Sequence, residues 1–471
     1  MRCRGHLLLC AVMFGVAISS QAQMVRTAAE FPGTNLGEKI HSAALSLPEG
    51  GTVDATSLTG PQAITTDIFA DVHSPITLLL GDATIACAKV GPSWCIQIPQ
   101  TGKVVIKGNG RGKTVLRLPS LGATQVRLLA TADGASNLEI TGLELDGNSE
   151  NRDPLMQDHC IFLYGVRNSS VHGNVFHDCN GDGMTLHGED AEDAVRDVKI
   201  YDNVGYGRFR QFIAIIDAEN VEMWDNRSTQ STGDCIHAEP YQKSQIVRNI
   251  DLHNNECKPT AGEGNISFTS PVPGGNENYS GYKIHGNILV GADQILVINS
   301  WKAEIFGNSV IDSGNRGDYF MGAISVAARD SSVENNDVEW KARRATMDSK
   351  GGIYVWAPNV KVSQNVVKRA NGAGIVLQSA PSAVVVGNTV DGVLPNSGGA
   401  AACFYIDGEG SGNNLWEGNR CADTQAVPTT KYMISGFNND AGPTTDSDNV
   451  YEHLLKGKSS GSIRLVKKPA Q

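Results

Sequence analysis

The chain has 471 residues, of which 40% are hydrophobic and 19% charged, so it has enough apolar material for a large folded core. Its 52 glycines and only 18 prolines exclude collagen-like and proline-rich classes. The 50 acidic residues outnumber the 39 basic ones and give a net charge of −11, which excludes nucleic acid as a partner.

The N-terminus has the features of an export signal. Two arginines precede an apolar run from Leu7 to Ile18, and the small-residue segment Ser20-Gln-Ala22 follows it. This run is shorter than the ~20 residues that span a bilayer. We therefore predict a cleaved signal peptide over residues 1–22 and a secreted or periplasmic mature protein without a membrane anchor.

The first predicted element of the mature chain is an amphipathic helix over residues 35–47. Asn35 and Glu38 have the spacing of a capping box at its start. One face of the helix carries three apolar residues, namely Leu36, Ile40 and Ala44. A helix at the open end of a strand array would block edge-to-edge aggregation.

A short motif recurs ten times from residue 171 onward, at intervals of 21 to 32 residues. It consists of an apolar or aromatic residue, two variable residues and an asparagine. A second short strand with period-two alternation lies between successive copies, and no repeat contains a convincing helix. This pattern predicts one coil of a parallel β-helix per repeat, with the asparagines stacked in a turn as a ladder. The ladder asparagines are Asn174, Asn203, Asn226, Asn255, Asn287, Asn308, Asn336, Asn365, Asn388 and Asn419.

The N-terminal helix, the Gly50-Gly-Thr-Val53 strand and the asparagine-marked coils together resemble the pectate-lyase-like right-handed β-helix superfamily over about residues 30–425. The resemblance implies an all-β, single-stranded right-handed parallel β-helix with a short N-terminal capping helix. We assign residues 23–425 to this domain and residues 426–471 to a C-terminal extension.

The resemblance also implies a function, because most members of the superfamily act on or bind polysaccharides. They include pectate lyases, polygalacturonase-type glycosidases, alginate-type lyases, epimerases and phage tailspikes. We therefore expect a monomeric, extracellular enzyme that cleaves an acidic, pectin-like polysaccharide. The competing class is a non-catalytic glycan-binding or structural β-helix protein.

Two strand starts resemble the places where polygalacturonase-type glycosidases keep their catalytic aspartates. They contain Asp182, in Asn-Gly-Asp-Gly, and Asp234, in Gly-Asp-Cys-Ile. Two coil spacings of ~4.8 Å put these residues ~10 Å apart, at the outer edge of the range for inverting hydrolysis. Arg210 precedes the strand at residues 211–216 that lies between the two aspartate strands, and His237 lies on the Asp234 strand. These two residues complete the predicted catalytic set.

β-Elimination from a uronate would use other groups. Arg208 or Arg210 would neutralise the sugar carboxylate, and His237, Lys243 or an arginine would act as the base. Calcium is the one cofactor that this reaction suggests. The carboxylates that would hold it are Asp182, Asp217 and Asp234.

Ten further residues are expected to bind substrate, because they are polar or aromatic and lie on or beside strands of the array. Aromatic rings among them would stack on sugar faces. They are His159, His187, Arg208, Glu239, Tyr241, Lys243, Trp301, Lys302, Tyr354 and Trp356. A pocket around the four catalytic candidates would favour an enzyme, whereas aromatic rows without convergent carboxylates would favour glycan binding.

Eight cysteines remain after removal of the signal peptide, and they fall as neighbours in sequence. An even number in an exported chain favours disulfides, and residues about one coil apart can meet. The alternative is that most are buried free thiols. The predicted pairs are Cys87–Cys95, Cys160–Cys179, Cys235–Cys257 and Cys403–Cys421.

Overall fold

The computed structural model describes most of the chain after the predicted signal peptide, which itself lies outside the described residues. The described residues are 24–88, 93–100, 102–120, 125–260, 264–314, 321–341, 351–394, 401–408, 410–437, 444–462 and 465–467. Within these ranges, no helix is both long enough and apolar enough to cross a membrane.

The chain winds into a parallel β-helix whose short strands form three stacks. We call these stacks sheet 1, sheet 2 and sheet 3, in the order in which a coil passes through them. Strands of successive coils pair in parallel, as Met184–His187 does with Gln211–Ile215 in sheet 1. This confirms the predicted all-β, right-handed parallel β-helix.

Within each sheet the strands follow one another in chain order. Those of sheet 1 are Trp94–Ile98, Arg127–Thr131, Ile161–Tyr164, Met184–His187, Gln211–Ile215, Asp234–Ala238, Ile266–Phe268, Ile295–Trp301, Gly322–Arg329, Gly351–Val355, Ala373–Gln378, Ala402–Asp407, Tyr432–Phe437 and Gly457–Ser462. Those of sheet 2 are Val25–Thr27, Gly51–Ala55, Ile76–Leu80, Val104–Lys107, Glu139–Thr141, Arg167–His172, Val195–Tyr201, Ala218–Trp224, Val247–His253, Tyr279–Ser280, Lys283–His285, Glu304–Phe306, Ser332–Glu334, Lys361–Ser363, Val384–Val386, Leu415–Glu417, Thr444–Ser447 and Leu465–Lys467. Those of sheet 3 are Gly60–Ile64, Ala83–Cys87, Thr114–Arg117, Glu144–Asp146, Val175–His177, Val204–Gly207, Arg227–Ser231, Glu256–Lys258, Ile288–Val290, Ser309–Ile311, Asp337–Glu339, Val366–Asn371, Thr389–Leu394, Arg420–Ala422 and Val450–Tyr451. Two 3₁₀ turns occur as well, at Ala28–Glu30 and Ser149–Asn151.

Helix α1, Leu36–Leu45, covers the N-terminal end of the strand array. Asn35 caps it, because its side chain accepts a hydrogen bond from the Glu38 N–H at 3.2 Å. The predicted capping box is only half formed. The Glu38 carboxylate accepts from the N–H and the hydroxyl of Thr34, at 2.6 and 3.0 Å, because these two donors offer it more than the Asn35 N–H alone. The buried face, including Ile40, joins the apolar core of the coils.

The predicted asparagine ladder is present in the turn between sheets 2 and 3. All ten asparagines are at most 1% exposed. The Asn308 amide, for example, donates to Asn336 Oδ1 at 2.9 Å and to the Ile284 carbonyl at 2.8 Å. Its own Oδ1 accepts the N–H and the amide of Asn287, each at 3.0 Å. The ladder therefore pairs polar groups that the interior would otherwise leave unsatisfied.

The strand stacks continue beyond residue 425, where the sequence predicts an extension. Tyr432–Phe437 pairs with the sheet 1 strand before it, and Asn449 adds an eleventh rung by accepting from the Asn419 amide at 2.9 Å. The predicted boundary thus falls inside the stacks. The motif search misses this coil because Asp446 stands where the other copies carry an apolar or aromatic residue.

All four predicted disulfides are confirmed. The bridged Cα atoms are 5.5 to 5.9 Å apart, within the usual range for a disulfide. Three bridges span 18 to 22 residues and so join positions about one coil apart. They are Cys160–Cys179, Cys235–Cys257 and Cys403–Cys421.

Candidate functional site

The outer face of sheet 1 carries a cleft of about 410 Å³ near the N-terminal half of the array. Because side chains alternate between the two faces of a strand, the inward-facing ones join the core while the outward-facing ones form the cleft wall. Five of the predicted site residues lie here together. The lining residues are Gln125, Arg127, Gln157, His159, Phe162, Thr185, His187, Arg210, Ile216, Glu239 and Tyr241.

Asp182 is fully buried just before strand Met184–His187. Arg210 donates to both of its oxygens, at 2.9 and 3.2 Å, and the Thr185 hydroxyl donates to Oδ2 at 2.9 Å. Burial by itself would raise the pKa of the Asp182 carboxyl, but His159 and Arg210 outweigh it and lower this pKa. Asp182 is therefore an ionised, enclosed partner of Arg210.

The other predicted carboxylates also have partners of their own. Arg210 donates to Glu239 Oε1 at 2.8 Å, so its charge is shared between two acids. Asp234 Oδ2 lies 2.9 Å from His237 Nδ1. Burial by itself would lower the pKa of His237, but the hydrogen bond and charge of Asp234 raise it. Asp234 and His237 do not line the cleft.

The predicted two-coil spacing of the aspartates is present, since strand Gln211–Ile215 lies between their strands. The pair does not face a shared open space, however. Asp182 is bound by Arg210 and Asp234 by His237, and both carboxylates are less than a tenth exposed.

His187 and Tyr241 form a hydrogen-bonded pair in the cleft, with 2.9 Å between Nε2 and the phenol oxygen. The imidazole packs against Phe162 and Tyr164, with ring centroids 5.1 and 5.5 Å away. Burial lowers the pKa of His187 and raises the pKa of Tyr241. The imidazole is therefore neutral and the phenol protonated at neutral pH. Tyr241 is 55% exposed, so its ring is open to a ligand.

Arg127 supplies an unpaired positive charge to the same cleft. Its guanidinium lies 4.0 Å above the ring centroid of Phe162. No carboxylate among the described residues pairs with it, and its Nε is buried without a hydrogen-bond partner. The sequence analysis missed Arg127 because it considered polar side chains only from residue 158 onward, and it missed Phe162 because this residue is apolar. Period-two alternation over Ile161–Tyr164 was the available signal, since it places Phe162 outward.

Arg208 and Lys243 lie outside the cleft. Arg208 is exposed on the turn that enters strand Gln211–Ile215, where its N–H donates to Asp178 Oδ1 at 3.3 Å. Lys243 is exposed on the turn after Tyr241. Neither is positioned by a described ion pair, so the structure gives no support for Lys243 as a base.

The remaining predicted residues sit further along the array. Trp301 donates its indole N–H to the Gly274 carbonyl at 2.9 Å, and the neighbouring Lys302 is exposed. Tyr354 is only 2% exposed, and burial raises its pKa to about 12, so its ring is not free to stack on a sugar. Trp356 is 46% exposed.

The three carboxylates of the calcium hypothesis are not gathered at one point. Asp182 lies before its strand and Asp234 begins its own, whereas Asp217 follows the far end of strand Gln211–Ile215. Asp217 is buried, its Oδ1 accepts the Ile246 N–H at 2.9 Å, and burial raises its pKa to about 7. Calcium at these residues stays a prediction without geometric support.

In the described part of the chain, one group of three side chains has metal-ligand spacing, and it lies beyond the cleft on sheet 3. It consists of Asp146, His177 and Asp178. In this group the His177 Nδ1 lies 3.0 Å from Asp178 and its Nε2 lies 3.2 Å from Glu144. The imidazole thus already has partners at both nitrogens.

Comparison with known families matches residues 272–439, roughly a third of the chain, to the family model "Periplasmic copper-binding protein (NosD)". The matched segment contains neither the cleft nor the group around His177. A comparison with curated protein sequences gives no match.

Solved structures share the fold at low sequence identity. The A-module of mannuronan C-5 epimerase AlgE6 from Azotobacter vinelandii is 15% identical, with a TM-score of 0.50 over 94% of this chain and 100% of that chain. The N-terminal fragment of gene product 12 from bacteriophage Phi29 is 14% identical, with a TM-score of 0.53 over 84% of this chain and 70% of that chain. These likenesses support the β-helix architecture and leave the chemistry to the residues of the cleft.

Proposed function

We propose that this protein is an exported enzyme that cleaves an acidic, uronate-containing polysaccharide by β-elimination in the cleft on sheet 1. The observation that carries the proposal is that three functional side chains line the same cleft. A protonated phenol and a neutral imidazole, Tyr241 and His187, share a cleft with the unpaired cation of Arg127.

The positive charge of Arg127 indicates an acidic substrate. A partly buried guanidinium without a carboxylate partner carries an uncompensated desolvation cost, which an anionic ligand would offset. Arg210 does not offer this, because Asp182 and Glu239 already share its charge. The rings of Phe162 and Tyr241 add surfaces of the kind on which sugar faces stack.

The reaction follows from the protonation states. Arg127 would hold the uronate carboxylate and stabilise the charge that develops there. The Tyr241 oxygen would take the proton from the carbon beside the carboxylate while its own proton passes to His187 Nε2. The bond from the next carbon to the glycosidic oxygen then breaks, a carbon–carbon double bond forms, and the leaving oxygen takes from Tyr241 the proton that came from the substrate carbon. His187 then returns its proton to the Tyr241 oxygen, which restores both groups. No water is consumed.

Hydrolysis by the two aspartates is less well supported. An inverting enzyme needs one protonated carboxyl and one carboxylate with a water between them. Asp182 is ionised, fully buried and paired with Arg210, and Asp234 is paired with His237.

Export is supported by the four disulfides, because such bonds persist mainly in oxidising compartments.

The test is a panel of uronate polysaccharides and a neutral glucan, assayed in parallel for reducing ends and for the ultraviolet absorbance of unsaturated uronate. We expect both signals together with an acidic polymer. Tyr241→Phe should lower kcat by about 10²–10⁴-fold, with the exposed Tyr451→Phe as its control. Arg127→Ala should raise KM, whereas Arg167→Ala, at an exposed arginine on sheet 2, should not.

Each other result has a defined meaning. Reducing ends without absorbance would mean hydrolysis and would reject elimination. Binding of the polymer without either signal would favour the non-catalytic alternative. Activity on the neutral glucan alone would reject the role of Arg127.

A further inference from the structure

Tyr241 lies outside the regular strands, on the turn after strand Asp234–Ala238. A turn residue that is 55% exposed is not held in place by core packing. Its hydroxyl nevertheless lies 2.9 Å from His187, which ends a strand two coils earlier. Some other contact must fix the turn relative to that strand.

Gln245 makes this contact with a single buried amide. Its Oε1 accepts the backbone N–H groups of Tyr241 and Gln242, each at 2.9 Å, and its Nε2 donates to the Gly188 carbonyl at 2.9 Å. Gly188 directly follows His187. The amide orientation is determined by its partners, since two N–H donors meet one end and a carbonyl meets the other.

Asp217 also contacts both the turn that carries Tyr241 and the segment that follows His187. Its Oδ1 accepts the Ile246 N–H at 2.9 Å, at the base of the turn. Its Oδ2 would lie 2.8 Å from a Cβ placed on Gly188, so only glycine leaves the carboxylate its space. The Ser244 carbonyl also accepts the Ala191 N–H at 3.0 Å. The turn is therefore anchored to the segment after His187 at several points, of which Gln245 is the one that holds Tyr241 itself.

We propose that Gln245 is a positioning residue that holds the Tyr241 hydroxyl against His187 and so assembles the acid–base pair of the cleft. This rests on the proposed function for its catalytic meaning, but the positioning itself has a readout that needs no substrate. Gln245 is fully buried and is not one of the residues that line the cleft.

The substrate-free test is an NMR titration of the His187 ring in histidine-labelled protein, assigned with His187→Gln. In the wild type, burial should keep the pKa of His187 below its usual value. Gln245→Leu should release Tyr241, expose the ring and bring this pKa toward ~6.5. Gln242→Leu, at an exposed neighbour on the same turn, is the matched control and should leave the titration unchanged.

The second arm uses partial rescue. In Gln245→Glu, the ionised carboxylate can still accept from Tyr241 and Gln242 but cannot donate to the Gly188 carbonyl. Protonation at low pH restores that donor. The His187 signals of this variant should therefore return toward those of the wild type as the pH falls to its carboxyl pKa, which Gln245→Leu cannot show.

The activity arm separates the two proposals. If the wild type eliminates, Gln245→Leu should lower kcat by about 10²-fold with a smaller change in KM. If the wild type is inactive but His187 responds as expected, the positioning role stands and the proposed reaction fails. A folded Gln245→Leu variant with unchanged His187 titration would overturn the positioning role, whatever the activity. Should Gln245→Leu not fold, Gln245→Glu decides by the same titration.

Discussion

Replacing one rung of the asparagine ladder should be among the most destabilising polar substitutions in this protein. Asn308→Ala removes four side-chain hydrogen bonds, two donated to Asn336 and Ile284 and two accepted from Asn287. At ~1 kcal/mol for each bond, the loss is about 4 kcal/mol. The buried Asn287 N–H would also lose its acceptor, which adds to the cost.

The assay is urea unfolding with the disulfides intact, followed by circular dichroism. Asn308→Asp separates hydrogen bonding from packing, because it keeps the volume and both acceptor contacts. It places a carboxylate oxygen against Asn336 Oδ1 and the Ile284 carbonyl, so we expect it to be about as destabilising as Asn308→Ala. Asn109→Ala is the control, since it loses one exposed bond to Asp82.

The proposed contribution of the ladder hydrogen bonds to stability fails if Asn308→Ala lowers the free energy of unfolding by no more than the Asn109→Ala control does. It also fails if Asn308→Asp is tolerated as well as the wild type, because the ladder would then stabilise the coils through packing alone. A changed denaturant slope would show instead that the substitution alters the extent of cooperative unfolding.

Three further substitutions test the buried charges. Asp217 keeps its proton up to pH about 7 in the folded state but loses it near its usual pKa of 3.8 when unfolded, so the stability of the wild type should fall as pH rises from 3.8 to 7. The melting temperature of Asp217→Asn should depend less on pH over this range, and equal pH dependence in the two proteins would contradict this. Arg210→Ala removes the arginine partner of the buried Asp182 carboxylate and leaves it with Thr185 and His159. It should therefore cost at most ~3–5 kcal/mol, less the screening expected for an arginine side chain that is 38% exposed; urea unfolding at the wild-type midpoint would refute it. Asp234→Asn should lower the pKa of His237, because Asp234 raises it against the effect of burial; an NMR titration that does not move would disprove this coupling.

Much of the fold was predictable because the repeat is local in sequence. A coil returns to the same place after about 20–30 residues, so asparagines in register must stack and cysteines about one coil apart can meet. The same logic fails where one residue departs from the pattern. Asp446 hides the coil of Asn449, and with it the continuation of the β-helix past residue 425.

Strand parity also predicted which side chains leave the core, but not whether they reach solvent. Tyr354 has the outward parity expected of it, yet Met321 and Tyr405 cover it in a small second apolar cluster with Val376. Parity is a property of one strand. Exposure depends on what the neighbouring coils and turns place above that strand.

The sequence by itself determined the coil, the ladder, the disulfides and five of the residues that line the cleft. Only the tertiary structure decided how these residues pair. It paired Arg210 with Asp182 and Glu239, left Arg127 without a carboxylate partner among the described residues, and brought Tyr241 to His187 across 54 positions of sequence. The physical reason is that periodicity specifies direction and height along the β-helix, whereas an ion pair or hydrogen bond depends on side-chain reach and turn geometry between coils, which no local pattern records.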